Sequence, residues 1–261
     1  MLAYHTAHRE KFQPVEADRA GRVIREILPP GSYESMTVDL QARRIAVEMM
    51  PEKGESDIYF SELNRPSLLR LSFDGGGHGV WSRDGRSMFF GNPVESLITV
   101  YSKQIQDQSR PRAVWTSTNT VFPTDASPDG RFLCAFEDNP ATLMDLLLIP
   151  LNGSSEGTLV RPIPFRRTRF NERHGFFSPD GRHLAYTSDE SGQFEVYVES
   201  LDALSGGRGS RWKLSSSGGT HPRWSPDGKE VFFISNDRVL MSVALTRSEE
   251  HTSELQSLTN L

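Results

Sequence analysis

Four near-copies of one turn motif constrain this chain more than any other feature. They are Trp81-Ser82-Arg83-Asp84-Gly85-Arg86, Ala126-Ser127-Pro128-Asp129-Gly130-Arg131, Phe177-Ser178-Pro179-Asp180-Gly181-Arg182 and Trp224-Ser225-Pro226-Asp227-Gly228-Lys229. They recur about every 47 residues, and a degraded copy, Val38 to Arg44, precedes them. A period of that length is the mark of a repeat architecture. Each copy lies between two apolar runs of β type, such as Gly175-Phe176-Phe177 before it and His183-Leu184-Ala185-Tyr186-Thr187 after it. Each therefore reads as a hairpin turn. Proline presets φ, aspartate hydrogen-bonds the backbone ahead of it, and glycine takes the positive φ that other residues resist. Asp84, Gly85, Asp129, Gly130, Asp180, Gly181, Asp227 and Gly228 are accordingly read as structural turn residues, not as catalytic acids or metal ligands.

A second β-type run follows each motif: Asp57–Phe60, Ile98–Tyr101, Asp145–Leu148, Glu195–Val198 and Val239–Val243. A further run follows four of these: Leu68–Leu71, Arg112–Trp115, Thr158–Arg161 and Arg211–Leu214. One unit is thus four strands, the blade of a β-propeller, which buries its faces against neighbouring blades and protects its edges by closure. Ahead of the first unit, Leu2-Ala3-Tyr4, Phe12–Val15 and Arg22–Arg25 read as three strands of a blade lacking its first; the last unit lacks its fourth. The expectation is an all-β, six-bladed propeller over residues 1–246, with four complete blades and a partial blade at each end. Residues 247–261 are set apart, because Arg247-Ser248-Glu249-Glu250-His251-Thr252-Ser253-Glu254-Leu255-Gln256-Ser257 resembles the in-frame translation of a sequencing adapter and has no strand period.

The net charge of -5, with Lys and Arg scattered, leaves no basic footprint for nucleic acid. No run approaches the ~20 apolar residues of a membrane helix. The single cysteine, Cys134, allows no internal disulfide or multi-cysteine zinc site and reads as a buried small hydrophobe on a strand. Gly153-Ser154-Ser155-Glu156-Gly157 matches the spacing of a nucleophile elbow, but that elbow needs a strand before it and a helix after it, and prolines and β structure follow instead. Gly75-Gly76-Gly77-His78-Gly79 precedes no helix that could hold phosphate at its N-terminus. No catalytic residue, cofactor or metal is assigned, and the expected state is a monomer.

One pattern escapes the turn chemistry. His78, His174 and His221 each stand six residues before a motif aspartate, where the innermost strand begins, while Ser35 and Pro123 fill that place in the other repeats. In a propeller this position faces the channel mouth, where imidazoles could bind a metal, an anion or an acidic peptide and titrate near neutral pH. The competing reading is a position that tolerates any polar residue. Tyr33, Glu34, Thr124, Asp125, Asn171, Glu172, Arg173 and Arg223 are expected to share this mixed-charge mouth, suited to a protein or peptide partner or a small polar ligand.

The motifs, each with its following apolar strand and Asp/Glu-Ile/Val-Tyr strand, resemble the WD40-like repeats of TolB-like propellers over about residues 2 to 245. Phe170-Asn171-Glu172, the run from Phe177 to Val198, and Gly218-Gly219-Thr220-His221-Pro222-Arg223-Trp224 further resemble the C-terminal propeller region of bacterial serine/threonine protein kinases. That resemblance implies a sensor or interaction module and a periplasmic or extracytoplasmic setting. The chain shows neither a kinase catalytic-loop His-Arg-Asp nor a glycine-rich loop followed by a strand lysine, so kinase activity does not carry over. Two alternatives stand beside this reading: a stand-alone periplasmic TolB-like protein binding cell-envelope partners, and the regulatory propeller of a prolyl-oligopeptidase-like serine peptidase.

Overall fold

The computed structural model describes residues 11–39, 41–51, 54–73, 75–94, 97–107, 109–151, 160–205, 209–245 and 257–258. They form two compact units, Met1–Pro123 and Thr124–Leu261. In the first unit, β1 (Val15–Ala17) and β2 (Val23–Glu26) make a two-stranded sheet. The first four-stranded antiparallel sheet follows: β3 (Tyr33–Asp39), β4 (Arg44–Met49), β5 (Asp57–Glu62) and β6 (Arg65–Arg70). The second is β7 (Gly77–Trp81), β8 (Ser87–Val94), β9 (Leu97–Gln104) and β10 (Arg112–Ser117). The third runs from β11 (Thr120–Ala126), which spans the boundary between the units, through β12 (Phe132–Asn139) and β13 (Leu143–Pro150) to β14 (Ile163–Arg166). The second unit adds β15 (Glu172–Phe177), β16 (His183–Ser188), β17 (Glu195–Ser200) and β18 (Arg211–Lys213), then β19 (Thr220–Trp224), β20 (Glu230–Ile234), β21 (Leu240–Ala244) and β22 (Ser257–Leu258). Every sheet is a simple meander, as the hairpin motifs require.

There are five four-stranded blades among the described residues, not the predicted six. The N-terminal segment pairs only β1 with β2, besides a single bridge between Phe12 and Gly31; the expected strand at Leu2–Tyr4 lies outside the described residues. At the other end the last blade has four strands, not three. Ser257 and Leu258, inside the segment set apart as adapter-like, pair with Val243 and Ser242. An open strand edge such as that of β21 presents unpaired N–H and C=O groups to any extended segment within reach. The fourth strand of the third blade is Ile163–Arg166; of the run Thr158–Arg161 expected to supply it, Thr158 and Leu159 lie outside the described residues. Pro164 is tolerated there because β14 is an edge strand.

Continuous apolar runs on the middle strands, buried on both faces, place the cores. Between the first two blades lie Ala46, Ile58, Leu71, Trp81, Met88 and Phe90, with Phe60 and Tyr101 against them. Between the last two lie Ala185, Val196, Val198, Leu214, Val231, Phe233 and Val243, with Trp224 against them. Each such aliphatic or aromatic side chain contributes about 1.5–3 kcal/mol on full burial. Trp224 also spends its indole N–H on the Phe176 carbonyl of the preceding blade, 2.9 Å away. Trp81 and Phe177 are buried, and Trp224 is partly buried against the core. Cys134 is fully buried, and burial pushes its thiol up to about 12.

The four turns are superimposable in their bonding. Ser82, Ser127, Ser178 and Ser225 each donate a hydroxyl to the aspartate two residues on, at 2.7, 2.6, 2.6 and 2.6 Å. The same serine oxygen accepts the N–H five residues on, from Ser87, Phe132, His183 and Glu230 at 2.8–2.9 Å. Each aspartate accepts a second N–H, from Arg86, Arg131, Arg182 or Lys229 at 3.0–3.1 Å. The glycines take φ of 64°, 69°, 70° and 71°. The N–H of Arg86 and the hydroxyl of Ser82 hold the Asp84 carboxyl below its ordinary range.

Candidate functional site

The three repeat-related histidines share an unusual backbone. His78, His174 and His221 have φ of 54°, 56° and 55°, the left-handed region in which His, Asn and Asp are enriched among non-glycine residues. Each begins a β-bulge. On β7, Gly77 pairs with Gly91 and Val80 with Phe89, so His78 and Gly79 together face Phe90. On β15, His174 and Gly175 face Tyr186; on β19, His221 and Pro222 face Phe233. An extra residue in αL followed by a return to the strand is a geometry that increases local twist and re-aims side chains. Ser35 and Pro123 are not among the positive-φ residues, and proline's ring forbids that φ. The position is therefore not one that accepts any polar residue. Where histidine stands, the backbone is left-handed, and the flanking glycines of Gly77-His78-Gly79 and His174-Gly175 were the visible signal.

In the first unit, the His78 N–H donates to Glu48 Oε2 at 3.0 Å, and the imidazole meets the Phe122 ring edge-on at 4.7 Å. Glu48 also accepts the hydroxyls of Ser35 and Ser56, both at 2.9 Å. Burial lowers the basicity of His78 against the opposing fields of Glu48 and Glu34. Glu34 is half-buried. Tyr33 is corrected: it belongs to the apolar cluster with Ile27, Leu28, Ile45 and Val47, and its hydroxyl is spent on the Pro29 carbonyl at 2.7 Å. A phenol with an aromatic body fills core while its tip finds one acceptor.

In the second unit, the structure brings four of the predicted residues together. The rings of His174 and His221 stack at 4.0 Å. The Arg223 guanidinium lies 3.4 Å over the Phe176 ring, and the Arg173 guanidinium 4.0 Å over Phe194. His221 and Arg223 are solvent-exposed while Pro222 between them is buried. Desolvation by the surrounding packing, then Arg223 and Arg173, push His221 down to about 4, and desolvation lowers Arg223 to about 10. At neutral pH His221 is uncharged and both arginines are cations.

The remaining predicted residues serve the scaffold. Thr124 Oγ1 donates to the Gly175 carbonyl at 2.8 Å, and Asp125 accepts the Phe177 N–H at 2.9 Å, so β11 is stitched to β15. Asn171 donates its N–H and its Nδ2 to Asp189, at 2.9 and 2.7 Å. Glu172 is corrected from the mouth to the interior. It is 1% exposed, accepts the Thr168 hydroxyl at 2.6 Å, and is raised in pKa by burial. Among the described residues no group of three or more His, Cys, Asp or Glu could hold a metal, and no helix is long and apolar enough to cross a membrane. The elbow-like Gly153–Gly157 lies outside the described residues.

No family model matches the sequence. An uncharacterised protein of Agrobacterium fabrum is 23% identical over 216 residues, which span 80% of this chain and 68% of that protein. A solved structure assigned as TolB from Agrobacterium tumefaciens is similar with a TM-score of 0.71 at 17% identity, over 92% of this chain and 84% of that one. TolB from Acinetobacter baumannii is similar with a TM-score of 0.69 at 18% identity, over 91% and 58%. A periplasmic gluconolactonase of Pseudomonas aeruginosa reaches a TM-score of 0.57 at 15% identity, over 95% and 76%. At such identities the likeness carries the fold and leaves the activity open. The chain has the fold of a TolB-like β-propeller.

Proposed function

We propose that this chain is a non-catalytic propeller module that binds a protein or peptide partner, or a small polar ligand, along the inner strands β15 and β19. The observation that carries the reading is the solvent-reached group of His174, His221, Arg173 and Arg223, on two strands whose bulges begin at the stacked histidines. A small number of convergent polar groups is what orients a ligand in its site. The parent protein is proposed to be a bacterial serine/threonine kinase whose C-terminal propeller senses a ligand outside the cytoplasm. The run from Phe170 to Val198 supports that parentage. A stand-alone periplasmic TolB-like protein that binds envelope partners is the second reading, supported by the likeness to two TolB structures.

Panning the purified chain against a random peptide library tests the binding role. Peptides that bind and lose at least tenfold in affinity against Arg223→Ala support it. Binding unaffected by inner-row variants, or turnover of a lactone or peptide substrate by the chain, overturns it. The full gene separates the two parentages by what precedes the propeller.

A further inference from the structure

We propose that Arg173 and Arg223 grip a single oxyanion group, a carboxylate or a phosphate, on the solvent side of the stacked His174 and His221 rings. The proposal deepens the ligand-binding reading above and rests on it.

Three features lead there. Arginine is a planar fork of five donors matched to oxyanions, and it is most effective when its plane is held in place. Phe176 holds the Arg223 plane at 3.4 Å and Phe194 holds that of Arg173 at 4.0 Å, a cation–π arrangement that fixes orientation without consuming the N–H groups. Those donors are largely unspent. Arg223 Nη1 donates to the Pro222 carbonyl at 2.9 Å, and Arg173 Nε is buried with no hydrogen-bond acceptor. Among the described residues, neither arginine has a carboxylate within ion-pair distance. The acidic side chains whose fields reach them hold other donors, Asp125 the Phe177 N–H and Asp189 both donors of Asn171.

The third feature is convergence. Both guanidiniums act on the His221 imidazole, which shares β19 with Arg223 and stacks on His174, the chain neighbour of Arg173 on β15. Two cations flanking a neutral imidazole stack leave a positive potential with no counter-charge bonded to either. An oxyanion there gains charge-assisted hydrogen bonds from both and relieves their mutual repulsion. His221 adds a ring N–H to the same anion; its Nδ1 lies 3.1 Å from Thr220 Oγ1.

The test titrates the chain with inorganic phosphate, with glutarate and, as a cationic control, with choline chloride, following the histidine ring resonances by NMR. Saturable shifts of His174 and His221 with either anion, and none with choline, are expected. Arg173→Gln with Arg223→Gln should weaken the anion at least tenfold, whereas Arg173→Lys with Arg223→Lys, which keeps the charge and loses the fork, should weaken it several-fold. Thermal melts of both double variants verify folding. A response to phosphate alone assigns the source as phosphate, and one to glutarate assigns it as carboxylate. No response to either anion, or a response equal in the double Gln variant, overturns the proposal. Library peptides without acidic residues that bind in an Arg223-dependent way would preserve the module's binding role while removing the oxyanion.

Discussion

The imidazoles of His174 and His221 lie nearly parallel, 25° apart in plane and 4.0 Å between centroids, although 47 residues separate them in the chain. Both owe that placement to the same left-handed bulge on adjacent inner strands, so the stack is a product of the repeat and not of either loop alone. A side chain that dislikes αL should break it. His174→Val or His221→Val is expected to cost about 1–2 kcal/mol through backbone strain, whereas His→Asn at either site should cost well under that, since Asn enters αL readily. Urea denaturation of the four variants measures the difference, and equal losses for Val and Asn would remove the backbone account.

The lowered basicity of His221 sets a sign for pH dependence. Its folded value, about 4, lies below the ordinary value of 6.5, so the unfolded chain takes up the proton first. Stability linked to this group is therefore intact above about pH 6.5 and declines as pH falls toward 4. His221→Asn should flatten that decline while leaving stability at pH 8 little changed. A decline of the same slope in the variant assigns the effect to other groups.

The turn serines do more than the turn aspartates can without them. Ser178 both donates to Asp180 and accepts the His183 N–H, so Ser178→Ala removes two bonds and leaves a backbone donor without its acceptor. A loss of about 1–3 kcal/mol is expected. Proline at position 179 leaves the serine's role untouched. The depressed carboxyl of Asp84 adds stability that is present above its ordinary range and is lost as pH falls through its lowered folded value. Ser82→Ala should raise that value, read directly from carboxyl carbon shifts.

Gly175 is held small by Cys134. A Cβ at position 175 would stand 2.5 Å from Cys134 Sγ and 3.1 Å from Leu146. Gly175→Ala is expected to cost about 1–3 kcal/mol by overpacking, and Cys134→Ala in the same chain should recover part of it, a coupling that a double-mutant cycle measures. The buried thiol, raised to about 12, should react with a disulfide reagent only on unfolding.

Much of this was legible in the residues. The Ser-x-Asp-Gly copies located the turn between the first and second strands of four blades, and the β-type runs that follow them located β16 and β17, because turn chemistry and strand composition act within a few residues. The completion of the last blade was not legible, since the pairing of Ser257 and Leu258 with β21 depends on an open edge and not on any pattern in those two residues. Nor was the fate of Tyr33 and Glu172. Both stand two residues before the histidine position, where plain strand alternation would put them on its face, and the bulges at Tyr33–Ser35 and at His174–Gly175 break that relation. The histidine row itself was found from spacing, while its cause, a positive φ, is a property of backbone that spacing does not display.

The bonds that close each Ser-x-Asp-Gly turn run between its own atoms, within a six-residue span; at one turn the Arg44 guanidinium of another blade adds a bond to the Gly85 carbonyl. A gene can therefore copy, lose or exchange a blade at a hairpin without rewriting the signal that ends its first strand and begins its second. Natural lengthening and shortening of such chains in whole-blade steps follows from that autonomy, and so does a practical rule: grafts between propellers of this kind should be cut between blades, leaving the serine, the aspartate and the glycine together.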